Sequence, residues 1–245
     1  MPSKGFTRVK PDVKYTYHSP DNITKMKEIN RAIIRKLFTF TLTFLLATIG
    51  LQGKQAKWMD LFNGKNLDNW HNPYPHGTAK VKEGIIELVA NKKFFFAYNK
   101  KFSNFIMVAE IKLPEGKANS GILFRSQKKD NGSMFGYQAE VDGSDRRWSG
   151  GLYDEGRRGW IHPKKPVQNA YNEKSWKDER KNALRRSDWN KYKIKCEGDH
   201  LQIWVNGIQT TNLKDNTDSN GYIAIQHHGE KGQVYRFRNL RLLEL

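Results

Sequence analysis

The chain has 245 residues and a formal net charge of +18, from 43 lysines and arginines against 25 acidic residues. Hydrophobic residues make up 37%, with 20 glycines and 8 prolines scattered along the chain, which excludes collagen, a long coiled coil and a wholly disordered protein. A single cysteine excludes an internal disulfide framework and a multi-cysteine zinc site.

Residues 1–25 are polar and show neither a helical nor a strand period. From Met26 the character changes: Lys27, Arg31, Arg35 and Lys36 precede a mostly apolar run over 37–51, and small or polar residues follow at 53–56. A basic, then apolar, then polar segment is the layout of a secretory signal. Arg35 and Lys36 on one side, and Lys54 and Lys57 on the other, keep the apolar run below the roughly 20 residues of a membrane span. The expected organisation is therefore a polar upstream extension at 1–25, with Met26 as an alternative start, a signal segment at 26–56, and an exported domain at 57–245. Such a domain is periplasmic or secreted and has no stable membrane span once the signal is removed. Residues 1–56 hold seven lysines, three arginines and three acids, a net of +7, which leaves +11 on the domain itself.

After Lys57 the sequence becomes a series of short apolar runs separated by turn signals. Strands are expected at 84–89, 94–98, 105–113, 120–125, 137–142, 151–153, 189–197, 200–205, 222–226 and 234–243. The breakers are Pro114-Glu115-Gly116, Asp130-Asn131-Gly132, Glu197-Gly198-Asp199 and Asn206-Gly207. Residues 191–197 and 200–205, joined by a tight Gly-Asp turn, read as a hairpin. Strands at this spacing predict an all-β sandwich of the jelly-roll type, with two antiparallel sheets. One segment breaks the rhythm: residues 155–188 are polar and basic, and read as a long loop with a short helix within 173–186.

Alternation along the strands separates two faces. Tyr137, Ala139 and Val141 point one way, and Gln138, Glu140 and Asp142 the other. Ile122 and Phe124 oppose Gly121, Leu123 and Arg125; Ile223 and Ile225 oppose Ala224, Gln226 and His228. If these strands are neighbours, Arg125, Gln138, Glu140, Asp142, Gln226 and His228 converge. An antiparallel sheet ordinarily has one wet face, so any one of these residues has a plain explanation. Together, carboxylates, an arginine and a histidine suit proton transfer and stabilisation of an oxyanion. The stretch 144–160 adds Arg146, Trp148, Tyr153, Asp154, Arg157 and Trp160 among glycines. Its arginines either clamp an anionic ligand or pair with the neighbouring acids. Cys196 and His227 read as core or edge residues. The spacing defines no metal site and predicts no cofactor, although the need for a divalent metal stays open. No nucleic-acid motif accompanies the positive charge, so a nucleic-acid partner is not expected.

Four separated motifs resemble the bacterial 3-keto-disaccharide hydrolase domain family, which are exported concanavalin-like jelly rolls. They are Leu61-Phe62-Asn63-Gly64-Lys65-Asn66-Leu67 with Trp70; Ala118-Asn119-Ser120-Gly121-Ile122-Leu123-Phe124-Arg125; Gly136-Tyr137-Gln138-Ala139-Glu140-Val141-Asp142; and Gly221-Tyr222-Ile223-Ala224-Ile225-Gln226 followed by His228-Gly229 and Phe237-Arg238-Asn239-Leu240. The resemblance implies cleavage of glycosides whose sugar carries a 3-keto group. The ketone acidifies the C2 proton, a base removes it, and the aglycone leaves from C1. On this reading Glu140 and His228 exchange protons and Arg125 stabilises negative charge. Gln138, Asp142 and Gln226, with Arg146, Trp148, Tyr153, Asp154, Arg157 and Trp160, contact the sugar. The alternative is a non-catalytic carbohydrate-binding module on the same fold.

Overall fold

The computed structural model describes residues 57–164, Trp176 and residues 178–245, together with Asn30, Arg31, Ile33, Arg35 and Lys36, which are helical. The upstream extension, most of the expected signal segment and residues 165–175 of the long loop lie outside these described residues. The chain divides into two units, residues 1–55 and 56–245. The second unit carries all the strands described below.

In chain order the strands are β1 (Met59–Asp60), β2 (Trp70–His71), β3 (Thr78–Lys82), β4 (Ile85–Val89), β5 (Phe94–Phe102), β6 (Phe105–Lys112), β7 (Asn119–Lys128), β8 (Met134–Asp142), β9 (Leu152–Glu155), β10 (Gly159–His162), β11 (Asn190–Glu197), β12 (His200–Val205), β13 (Ile208–Lys214), β14 (Gly221–His227) and β15 (Val234–Glu244). They form two sheets with antiparallel pairing. The eight-stranded sheet has the order β13-β12-β11-β6-β15-β4-β3, with β1 paired to β15; the seven-stranded sheet has the order β10-β9-β8-β7-β14-β5-β2. The architecture is the all-β sandwich that strand spacing predicts.

The core lies between the sheets and follows from alternation. On β11, Tyr192, Ile194 and Cys196 are buried while Lys191, Lys193 and Lys195 turn outward. Ile86, Phe105, Ile111, Ile203 and Phe237 of the eight-stranded sheet meet Phe94, Ile122, Phe124, Tyr137 and Ile225 of the other in one apolar cluster. Each such side chain contributes about 1.5–3 kcal/mol on burial, so no disulfide is needed; Cys196, the one cysteine, is buried and free.

Each of the ten expected strands is present, several with longer ends. Five strands were not foreseen: β1 and β2 are two residues each, and β3 and β13 are rich in lysine, threonine and asparagine. The fifth, β10, falls inside the segment read as a loop and pairs with β9. The short helix expected within 173–186 is a single turn, α1 (Asp178–Lys181).

Candidate functional site

Strands β8, β7 and β14 are adjacent, as convergence requires. Gly121 lies opposite Glu140, Leu123 opposite Gln138, and Ala224 opposite Leu123. Gln138, Glu140 and Gln226 therefore share the sheet face turned away from the core. Such a face is ordinarily wet, yet these three residues are only 2%, 4% and 1% exposed. Beside them Phe95, Ala97, Leu123, Met134 and Ala224 form a second apolar cluster, with Tyr74 packed against it. Gly121 makes the arrangement possible: a Cβ there would lie 2.3 Å from Cδ of Gln138. Only glycine lets the Gln138 side chain lie across β7.

Glu140 is the centre of a polar network. Asn119 Nδ2 donates to its Oε1 at 2.5 Å, Gln138 Nε2 to its Oε2 at 2.9 Å, and Arg146 Nη2 to its Oε1 at 3.3 Å. Burial disfavours the charged carboxylate more than these donors and the Arg146 charge favour it, and nearby Asp142 adds repulsion. The carboxyl is pushed up to about 7. Gln226 Nε2 donates in turn to Gln138 Oε1 at 3.3 Å. Among the described residues, Gln226 Oε1 is buried without a hydrogen-bond partner.

Asp142 closes the end of β8. Its carboxylate accepts from the backbone N–H of Ser144 at 3.0 Å and of Trp148 at 3.0 Å, and from Arg146 Nε at 2.8 Å. Burial acts to raise its pKa, but the bonds from Ser144 and Arg146 and the Arg146 charge outweigh it and hold the group below its ordinary value. Asp142 thus shapes the turn that delivers Arg146. That guanidinium bridges Asp142 and Glu140 and lies over the rings of Trp148 (5.1 Å) and Trp160 (4.7 Å). Trp160 meets Trp148 edge-on at 4.7 Å and Tyr153 at 5.2 Å, and Tyr153 pairs with Gln138 across β9 and β8. Arg146, Trp148, Tyr153 and Trp160 therefore gather beside Glu140.

His228 lies one residue beyond β14 and is half exposed. Its Nδ1 lies 2.9 Å from Glu230 Oε1, and the Tyr235 hydroxyl donates to Glu230 Oε2 at 2.6 Å. The Asn119 backbone N–H is directed at the same Tyr235 hydroxyl. Asn119 therefore stands between the two candidate proton carriers: its side chain holds Glu140, and its backbone meets the pair that orients His228. Glu230 thereby orients the His228 ring. Asn119, Glu230 and Tyr235 were not singled out from the sequence. The Asn-Ser-Gly motif and the acid two residues after His228 were the available signals.

Three expected site residues lie elsewhere. Strand β7 bulges between Leu123 and Gln127, with Arg125 at φ 45°, and the bulge breaks the alternation that assigned Arg125 to the polar face. The Arg125 side chain is buried. It donates to the carbonyls of Ser103 (2.7 Å), Gly198 (2.7 Å) and Asp218 (3.3 Å) and to Asn104 Oδ1 (3.1 Å), tying together three turns. Asp154 pairs with Tyr137 on the core side of the sheet, opposite to Tyr153. It accepts from Arg157 and Arg158, which also reach Asp218 and Asp215. Here the arginines and acids of the segment pair with one another.

Among the described residues, no group of three or more histidines, cysteines or acids is placed to hold a metal ion, and no helix is long and apolar enough to cross a membrane. A family model for the 3-keto-alpha-glucoside-1,2-lyase-like domain matches residues 57–243. Similar folds include a protein of Parabacteroides distasonis ATCC 8503 provisionally assigned as a glycosyl hydrolase (19% identity, 77% of this chain and 100% of that one, TM-score 0.52). The carbohydrate-binding module CBM66 of Bacillus subtilis also matches, at 15% identity over 72% of this chain and 96% of that one, with a TM-score of 0.52. A Bacillus subtilis protein of unknown function with a galectin-like fold matches at 10% identity over 77% of this chain and 94% of that one, with a TM-score of 0.53. No curated protein matches the chain.

Proposed function

Because the chain belongs to the 3-keto-alpha-glucoside-1,2-lyase-like domain family, we propose that it is an exported enzyme that cleaves 3-keto-disaccharides and other 3-keto-glycosides by elimination followed by hydration. The observation that carries this reading is Glu140, a buried carboxyl with a pKa of about 7 at the centre of a hydrogen-bonded face. A binding face has no need of a carboxyl poised at neutral pH, whereas a general base does.

In the proposed reaction the Glu140 carboxylate takes the C2 proton, and the electron pair of that C–H bond becomes an enolate on the C3 oxygen. Arg146, already beside Glu140 and held on two tryptophan rings, takes the charge-stabilising role assigned to Arg125 from the sequence. The enolate re-forms the ketone as the C1–O bond breaks, leaving a C1–C2 double bond, and the departing oxygen is protonated by His228. Water then adds to C1 and a proton returns to C2. Gln226 Oε1 accepts a sugar hydroxyl, and Trp148, Tyr153 and Trp160 offer ring faces and edges to the sugar.

The test is incubation of the purified protein with 3-keto-trehalose, 3-keto-lactose and an aryl 3-keto-glucoside. Release of the aglycone, lost by at least about a hundredfold in Glu140→Gln or His228→Ala, supports the reading. Binding of every keto-glycoside without turnover would overturn it in favour of a carbohydrate-binding module.

A further inference from the structure

The outer face of the eight-stranded sheet carries a cationic surface well away from Glu140. Along β11, Lys191, Lys193 and Lys195 project to one side, roughly 7 Å apart at the spacing of alternate strand residues. Arg236, Arg238 and Arg241 of β15 share that face, with β6 between the two strands. Of the acids on it, Glu87 is engaged with Arg236 and Lys80, Glu110 with Arg238, and Glu197 with Lys195, while Asp60, opposite Arg241 in the β1–β15 pair, forms no ion pair among the described residues. Among the described residues, Lys191 and Arg241 have no carboxylate within ion-pair distance.

The same face holds a groove of about 430 Å³. Its origin is a local fault in the sheet. The β15–β6 ladder shifts register between Arg238 and Arg241, with Asn239 at φ 53°, and β1 pairs with β15 over only two residues. The groove is lined by Asp60, Asn63, Glu110, Lys191, Asn239 and Arg241, with Val108 and Ala109. Trp58, 40% exposed, lies against Arg241 at 5.3 Å, and Trp189 against Arg238 at 4.0 Å.

We propose that this groove and the lysine row beside it bind an acidic polysaccharide, one whose rings carry carboxylates among hydroxyls. Lys191 and Arg241 match the carboxylates. Asn63, Asn239, Asp60 and Glu110 match hydroxyls, as amide and carboxylate partners do. A nucleic-acid backbone offers phosphates but few hydroxyls to Asp60 and Glu110, whereas each ring of an acidic polysaccharide offers hydroxyls beside its carboxylate. An anionic membrane would find little to insert, since Trp58 and Leu245 are the only large exposed hydrophobic residues of the described sandwich. The volume falls in the range of about 300–1,000 Å³ typical of small-ligand sites, enough for one or two sugar rings. Such a site would hold the domain on a charged glycan while the opposite sheet stays open to its own ligand.

The test is binding of the full chain to polygalacturonate, with dextran, duplex DNA and phosphatidylserine-containing vesicles as competing probes. The expected result is polygalacturonate binding that weakens as salt rises and falls at least tenfold in Lys191→Glu/Arg241→Glu. The milder pair Lys191→Gln/Arg241→Gln, expected to lose about fivefold, serves if charge reversal prevents folding, which the unfolding midpoint reports. Unchanged binding in these variants, equal binding of dextran, or tighter binding of DNA or vesicles would overturn the proposal. Loss of binding in Glu140→Gln instead would also overturn it, because it would place the glycan on the seven-stranded sheet.

Discussion

The two sheets turn opposite kinds of polar surface away from their shared core. On the seven-stranded sheet the polar groups are buried, joined in series and almost free of uncompensated charge: Gln226 bonds Gln138, Gln138 bonds Glu140, and Glu140 is held by Asn119 and Arg146. On the eight-stranded sheet, lysines and arginines stand in half-exposed to exposed rows, and Lys193 and Arg241 meet aromatic rings rather than acids. Burial makes the difference. In a low-dielectric setting one misplaced polar group shifts a pKa by units, whereas in water the same charge is screened and costs little. The first surface is therefore suited to chemistry and the second to electrostatic attachment.

That contrast can be broken most sharply at Glu140. Glu140→Gln keeps the size of the side chain, and turnover of a 3-keto-glycoside is expected to fall at least about a hundredfold while substrate binding persists. Arg125 supplies the counter-case, a buried arginine spent on structure. Arg125→Met should cost on the order of 3 kcal/mol in denaturant unfolding, because it strands buried carbonyl groups, and leave turnover per folded molecule unchanged.

The pH dependence of stability sharpens the comparison further. The Glu140 carboxyl is raised from 4.5 to about 7 on folding, so the folded state binds its proton more tightly than the unfolded state. Its contribution is complete below about pH 4.5 and is lost as pH rises through about 7, a change on the order of 3 kcal/mol. Glu140→Gln should flatten unfolding free energy over that window, as measured by denaturant titration at a series of pH values. Gly121→Ala is expected to have a smaller effect. The added methyl displaces Gln138, and turnover should drop about tenfold while the unfolding midpoint moves little. Smallest of all, Lys191→Gln/Arg241→Gln should leave turnover of a short keto-glycoside within about twofold, since these exposed charges lie on the other sheet.

The fold was legible because its signals are local. A period of two and glycine-containing turns mark strands such as β8, β11 and β12, whose buried residues alternate or run together as the sheet demands. Strands like β1 and β10 owe their existence to a partner rather than to their own pattern, so sequence alone did not reveal them. The candidate site was legible to the same degree. Gln138, Glu140 and Gln226 follow from alternation along unbroken strands. Arg125 fails because one extra residue in β7 reverses the parity beyond Leu123, and nothing in the local sequence announces a bulge that answers to packing at the turns of Ser103 and Gly198. Asp154 and Arg157 fail because a loop assignment carries no parity, whereas the β9 strand does. Within the stretch 144–160, Arg146, Arg157 and Arg158 are paired with acids, and a further cationic surface lies on β11 and β15.

The central claim is that Glu140 removes a proton from C2. It is tested most directly by running the reaction of an aryl 3-keto-glucoside in deuterated water and reading C2 of the released sugar by NMR. Elimination and hydration predict one deuterium at C2, incorporated faster than by exchange in buffer and abolished in Glu140→Gln. Product released by the wild-type protein with its original C2 hydrogen intact would contradict the account.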